Sequence, residues 1–133
     1  MKAVICDLWN TIAYNDVKKN PVDQLEELLG VKLRGYPEVE RVFMAKEYDS
    51  KKDAAIQLCK TVSVIPKEGL LDKIIKIWNI THTEFKLFPE VIGILKKLRS
   101  GGFKIGLISN TDCFSIKAIS DGGYGKYFDS MVF

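Results

Sequence analysis

Asp7 closes a short apolar run, Ala3-Val4-Ile5-Cys6, and is followed by Leu8-Trp9-Asn10-Thr11. A carboxylate in that place can attack phosphorus or an activated carbon, or it can ligate magnesium. It can also do no more than cap the next turn, because aspartate is a common turn residue. A second polar turn, Ser109-Asn110-Thr111-Asp112, follows a second apolar run, Phe103 to Ile108. If the two runs are neighbouring strands of a parallel sheet, Asp7 and Ser109 face one crevice, since such sheets bind ligands at the carboxyl ends of their strands. Loop amides after Asp7, together with the Ser109 hydroxyl, could then hold a phosphoryl or carboxylate charge.

The elements that must position these groups are legible from spacing. Ala3 to Cys6 is apolar on both faces and rich in β-branched residues, which suits a buried parallel strand. Asn20 can cap a helix that Pro21 opens, Val22, Leu25, Leu28 and Leu29 share a face of it, and Gly30 ends it. Helical spacing recurs over about 37–47, 51–62 and 67–80, with no convincing strand between. Pro89 opens a fifth helix through Val91, Leu95 and Leu98, closed by Gly101-Gly102. The strand Phe103–Ile108 follows, then a short helix around Cys113–Ser120 and a third strand from Phe128 to Phe133. The order predicts an α/β core, residues 1–14 and 88–133, interrupted by an all-helical insertion, residues 15–87.

A chain of 133 residues, 47% hydrophobic and 28% charged, has the composition of one folded core with an insertion. Its formal charge is +3, and the lysine pairs Lys18-Lys19, Lys51-Lys52 and Lys96-Lys97 are scattered among acids. That is no nucleic-acid stripe, although a local basic patch can attract a small anionic substrate. Cys6, Cys59 and Cys113 lack the paired spacing of a zinc site, and neither Cys6 nor Cys113 begins a cysteine-phosphatase loop. They read as reduced thiols. The first apolar run is too short for a signal sequence and nothing later approaches a membrane span, so the cytoplasm is the expected location. His82 is the single histidine, expected where the insertion returns to the core.

The segment Val4-Ile5-Cys6-Asp7-Leu8-Trp9-Asn10-Thr11-Ile12 resembles the first motif of the haloacid dehalogenase-like (HAD) hydrolase superfamily, an apolar strand followed by Asp-x-x-x-Thr and an aliphatic residue. Ile105-Gly106-Leu107-Ile108-Ser109-Asn110 resembles its second motif, an apolar strand ending in a hydroxyl residue. The helical block sits where many members carry a cap, Pro89 to Gly102 resembles the helix returning to the core, and Tyr127-Phe128-Asp129 resembles the approach to the third strand. The resemblance implies a Rossmann-like parallel sheet, half of a HAD core, with an inserted helical cap. It implies that Asp7 is the catalytic nucleophile forming an aspartyl intermediate, and a magnesium ligand. Ser109 would bind the transferred group, Thr11 would support the loop, and Asn110 would bind substrate at the mouth.

Because phosphatases dominate the family, the resemblance implies magnesium-dependent hydrolysis of a small phosphate ester. Two departures keep other readings open. The position two residues after the nucleophile, an aspartate general acid in most family phosphatases, is Trp9, and an indole cannot shuttle a proton. The family's dehalogenases carry an aromatic residue there, so haloacid dehalogenation is an alternative; Trp9 can equally just pack beneath the cap. Secondly, the family's later lysine and acidic pair have no counterpart before Phe133, which admits a non-catalytic binding or assembly remnant. Lys104 and Lys126 stand in the wrong context to replace that lysine, and nothing in the spacing selects Arg34 or Arg41 as an anion acceptor in the cap. On the same analogy residues 3–6 form an apolar sheet edge, expected to be covered by a second copy of the chain or by a partner.

Overall fold

Strand periodicity and parallel pairing explain the core. A computed structural model describes residues 2–44, 46–80, 84–112, 115, 116 and 119–133, with the helical backbone continuous through 81–83 and 117–118. The side chain of His82, and Cys113 altogether, lie outside the described residues. Strand β1 (Lys2–Cys6) pairs in parallel with β4 (Phe103–Ile108), and β4 with β5 (Ser130–Val132), giving the order β1-β4-β5. The registers Val4 to Ile105 and Cys6 to Leu107 put these four side chains on one face. There Ile105 and Leu107 are fully buried against α5 (Val91–Ser100) and α6 (Ser115–Asp121), with Val91, Leu95 and Ile119. The opposite face carries Ile5, Ile108 and Val132, which are 67%, 51% and 56% exposed. Gly106 lies between them, where an added Cβ would meet the Ile5 side chain at 3.7 Å.

Asp129 ties the third strand to the second. Its carboxylate accepts the Ile105 N–H at 2.9 Å and the Lys104 ammonium at 3.2 Å, while Arg99 reaches it at 3.5 Å. Arg99 also donates to the carbonyls of Lys126 and Tyr127, holding the turn before β5 against α5. The third strand is shorter than the expected run from Phe128, because Tyr124–Tyr127 forms a 3-10 turn and Asp129 turns its carboxylate back toward β4.

The insertion has its own apolar centre. Helices α1 (Pro21–Leu29), α2 (Pro37–Met44), α3 (Lys51–Thr61) and α4 (Glu68–Glu84) bury Leu25, Leu58, Cys59, Ile74 and Trp78 among others. Asn20 caps α1 through a 2.8 Å bond from the Val22 N–H, and Gly30 ends it with φ 68°, a conformation glycine adopts without steric cost. Helix α4 runs to Glu84, beyond the expected end near 80. Helix α5 starts at Val91, with Pro89 and Glu90 forming the turn before it.

Two short strands went unseen in the sequence. Strand β2 (Ala13–Asn15) pairs antiparallel with β3 (Phe85–Leu87), Asn15 opposite Phe85, and the Asp16 N–H continues the ribbon to the Glu84 carbonyl at 2.9 Å. Three residues give no alternation to read; the ribbon exists because the outgoing and returning chains lie side by side. Cys6 and Cys59 are unpaired thiols, both pushed above the ordinary value by burial.

Truncating Ile105 to alanine should lower stability by ~2–5 kcal/mol, whereas Ile108→Ala should change it by less than about 0.5 kcal/mol. Urea unfolding of the two variants compares the two sheet faces directly. Backbone N–H bonds hold the Asp129 and Glu26 carboxyls below the usual carboxylate range, the latter through Leu33 and Arg34. Below about pH 4 the unfolded chain therefore binds these protons first, so their contribution is complete above the ordinary value and is lost as pH falls through the lowered native one. Thermal melts across that range should show a shallower acid decline in Asp129→Asn than in the parent chain.

Candidate active site

The turn after β1 is built around one carbonyl. The Leu8 C=O accepts the N–H groups of Ile12 at 3.0 Å and Ala13 at 2.9 Å, with Thr11 at 3.4 Å, and the Asn10 N–H donates to the Ala13 carbonyl at 2.8 Å. Asn10 sits at φ 59°, a left-handed conformation that asparagine tolerates better than most residues. Leu8 is buried beneath this turn, so the chain leaves β1 and doubles back at once. Of the loop amides expected to hold an anion, those of Asn10 to Ala13 are thus engaged inside the turn itself.

Asp7 stands exposed at the start of the turn, and the Thr11 hydroxyl donates to its Oδ2 at 3.1 Å. Thr11 consequently orients one carboxylate oxygen of an exposed residue, and the second oxygen is the one available for attack or ligation. Ser109 follows β4, its N–H extending the strand pairing to the Val132 carbonyl at 3.1 Å. Its side chain is only 4% exposed, and its Oγ is buried with no hydrogen-bond partner among the described residues. A buried hydroxyl without a partner carries a desolvation cost of about 1–3 kcal/mol, which a bound acceptor would remove. Asp7, Ser109 and Asn110 line one open cavity of about 450 Å³, together with Cys6, Trp9 and the exposed Ile5 and Ile108.

A second cavity, about 430 Å³, lies between core and insertion. Trp9 and Asn110 line both cavities and so form the partition between them. The Trp9 indole N–H donates to the Thr111 hydroxyl at 3.0 Å, and its ring meets Phe85 edge-on at 5.7 Å. Asp112 accepts the Ser115 N–H at 3.0 Å and its hydroxyl as well, an N-terminal cap for α6 that fixes the far side of the Ser109 turn. A larger groove of about 810 Å³ runs along Asp16, Lys18, Lys19 and Glu27, but it is an open surface trough remote from Asp7.

The residues that sequence reading left aside are Tyr14, Asn15 and Phe43, which join Trp78 in the second cavity. Asn15 carried no signal, since the ribbon that places it was invisible; Phe43 and Trp78 read only as core. Arg34 pairs with Asp23 at 2.6 Å and Arg41 is exposed, and neither lines a cavity. Lys104 is bound to Asp129 and Lys126 lies over the Tyr127 ring. Among the described residues no three His, Cys, Asp or Glu side chains gather as metal ligands. Asp7 is the single carboxylate lining its cavity, so the cavity offers one anionic ligand toward the octahedral oxygen shell magnesium demands. No helix of the described residues is long and apolar enough to cross a membrane.

No known family profile matches the chain, and no curated relative is detectably similar in sequence. Solved structures are similar in fold. A HAD family enzyme from Bacteroides thetaiotaomicron, solved as a magnesium complex, superposes with a TM-score of 0.62 at 12% identity over 100% of this chain and 67% of its own. A candidate beta-phosphoglucomutase from Thermotoga maritima gives 0.56 at 19% identity, covering 100% of this chain and 61% of its own. A HAD phosphatase from Thermococcus onnurineus gives 0.50 at 23% identity over 98% and 61%. The chain thus spans about three fifths to two thirds of the length of these structures. Over that span, its parallel α/β core with a helical insertion has the fold of the haloacid dehalogenase-like hydrolases.

Proposed function

We propose that this chain carries the nucleophile and anion-holding half of a hydrolase acting on a small phosphate monoester. The observation that carries the reading is the buried, unpartnered Ser109 hydroxyl sharing a cavity with the Thr11-oriented Asp7 carboxylate. Asp7 Oδ1 attacks phosphorus, the bond to the leaving oxygen breaks, and water then cleaves the aspartyl phosphate to release phosphate and restore Asp7. Ser109 and Asn110 hold the phosphoryl oxygens. Magnesium belongs to the proposal, with Asp7 as this chain's ligand to it, and would neutralise charge on the phosphoryl group. Dehalogenation, which needs no metal, is the competing use of the same carboxylate. Unpaired Cys6 and Cys59 suit a reducing cytoplasm, where we place the reaction.

Phenyl phosphate hydrolysis should require added magnesium and fall to background in Asp7→Asn. Ser109→Ala should retain the fold and lose about 10²–10³ in kcat. Activity undiminished in Asp7→Asn, or halide released from a chloroacid without metal, would sink the phosphatase reading.

A second reading, assembly, draws on the open edge of β1 and the exposed Ile5, Ile108 and Val132 beside it. We propose that this face packs against a second copy of the isolated 133-residue chain. Light scattering should show concentration-dependent dimers, and the double variant Ile5→Glu, Ile108→Glu should be monomeric; a parent chain monomeric at all concentrations would refute self-association.

A further inference from the structure

Building on the phosphatase reading, we propose that the second cavity takes an uncharged aryl leaving group bearing a hydrogen-bond donor, with Asn15 as the acceptor that selects it. The cavity shares Trp9 and Asn110 with the Asp7 and Ser109 cavity, so in this proposal a phosphoryl group at Asp7 directs its ester substituent past these two residues. Tyr14, Phe43, Trp78 and Leu25 supply flat, apolar walls beyond them, and no lysine or arginine lines the space. Those walls stack on an aromatic ring, and without a cation the space offers nothing to a second phosphate. Of the polar residues that also line it, Asn10, Asn20, Asn110, Thr111, Asp112 and Ser115 among them, Asn15 is the one whose Oδ1 is buried with no donor among the described residues. An N–H or O–H on the ring would satisfy it.

A separate observation points the same way. The first cavity holds no carboxylic acid besides Asp7, and the Trp9 N–H is committed to Thr111. No side chain there hands a proton to the leaving oxygen. A phenol, with a pKa of about 10, departs as its anion far more readily than an aliphatic alcohol does. In the step, Asp7 Oδ1 forms the bond to phosphorus while the phosphorus–aryl oxygen bond breaks. The aryl oxide leaves with the electron pair and takes its proton from water, and a second water cleaves the aspartyl phosphate.

Both tryptophans of the chain, Trp9 and Trp78, line this cavity, so their fluorescence reads binding without turnover. Titration of the 133-residue chain with para-acetamidophenol should give a saturable change, confirmed by calorimetry, about tenfold tighter than with phenol; glucose should give none. Asn15→Leu should erase the preference for the amide-bearing ring while phenol still binds, and Asn15→Ala serves if the leucine variant misfolds. No saturable binding of either phenol, or the preference surviving in both variants, would overturn the proposal. In a parallel assay, hydrolysis of phenyl phosphate without binding of phenols would leave the phosphatase reading standing and this inference refuted. Phenol binding with the amide preference but no hydrolysis of any aryl phosphate would support the pocket and refute the phosphatase reading.

Discussion

The pairing of β1 with β4 is the constraint on which the rest depends. Parallel strands in register end together, so the Val4 to Ile105 and Cys6 to Leu107 pairs bring the turns after Cys6 and Ile108 to the same end of the sheet. Asp7 and Ser109 come from opposite ends of the chain and meet only through that register. A parallel pair requires a crossover, and here the crossover comprises the whole helical insertion and α5. The same pairing therefore also sets where the insertion leaves and rejoins the core.

Around this pairing the two faces of the sheet behave differently. The face bearing Ile105 and Leu107 is closed by α5 and α6, and Asp129 locks its third strand with a backbone bond and two cations. The other face leaves Ile5, Ile108 and Val132 in solvent, beside an unpaired β1 edge. Burial of apolar area on one side stabilises the sheet, while the other side leaves apolar side chains exposed. The comparison structures superpose on essentially the whole of this chain and are longer than it by about a third or more of their own length.

Trp9 and Asn110 separate two chemically different cavities. On one side lie a carboxylate and an unsatisfied hydroxyl, on the other an aromatic chamber without cationic side chains. The ribbon of β2 and β3 connects these two environments mechanically, because it carries the chain from the Asp7 turn into the insertion and returns it to the core. Any movement of the insertion would be transmitted through those few backbone bonds.

Much of this was legible in the residues themselves. Short apolar runs marked β1 and β4 and helical spacing the five longer helices; β1, expected to be buried, instead has Ala3 and Ile5 exposed, because β4 and the helices cover only one of its faces. Asp7-x-x-x-Thr11 marked the turn whose threonine now holds the carboxylate, and Asn20 and Gly30 marked the limits of α1. Neither the three-residue strands β2 and β3 nor the role of Asn15 had a local signature, because they arise from two distant segments lying side by side. The sequence determined which groups were available for chemistry and roughly which elements carried them. Only the tertiary structure decided that Trp9 divides two cavities, that Asn15 and Ser109 end with unmet hydrogen-bonding atoms, and that Arg34 is paired elsewhere. Those properties depend on desolvation and long-range contacts, which residue spacing does not encode.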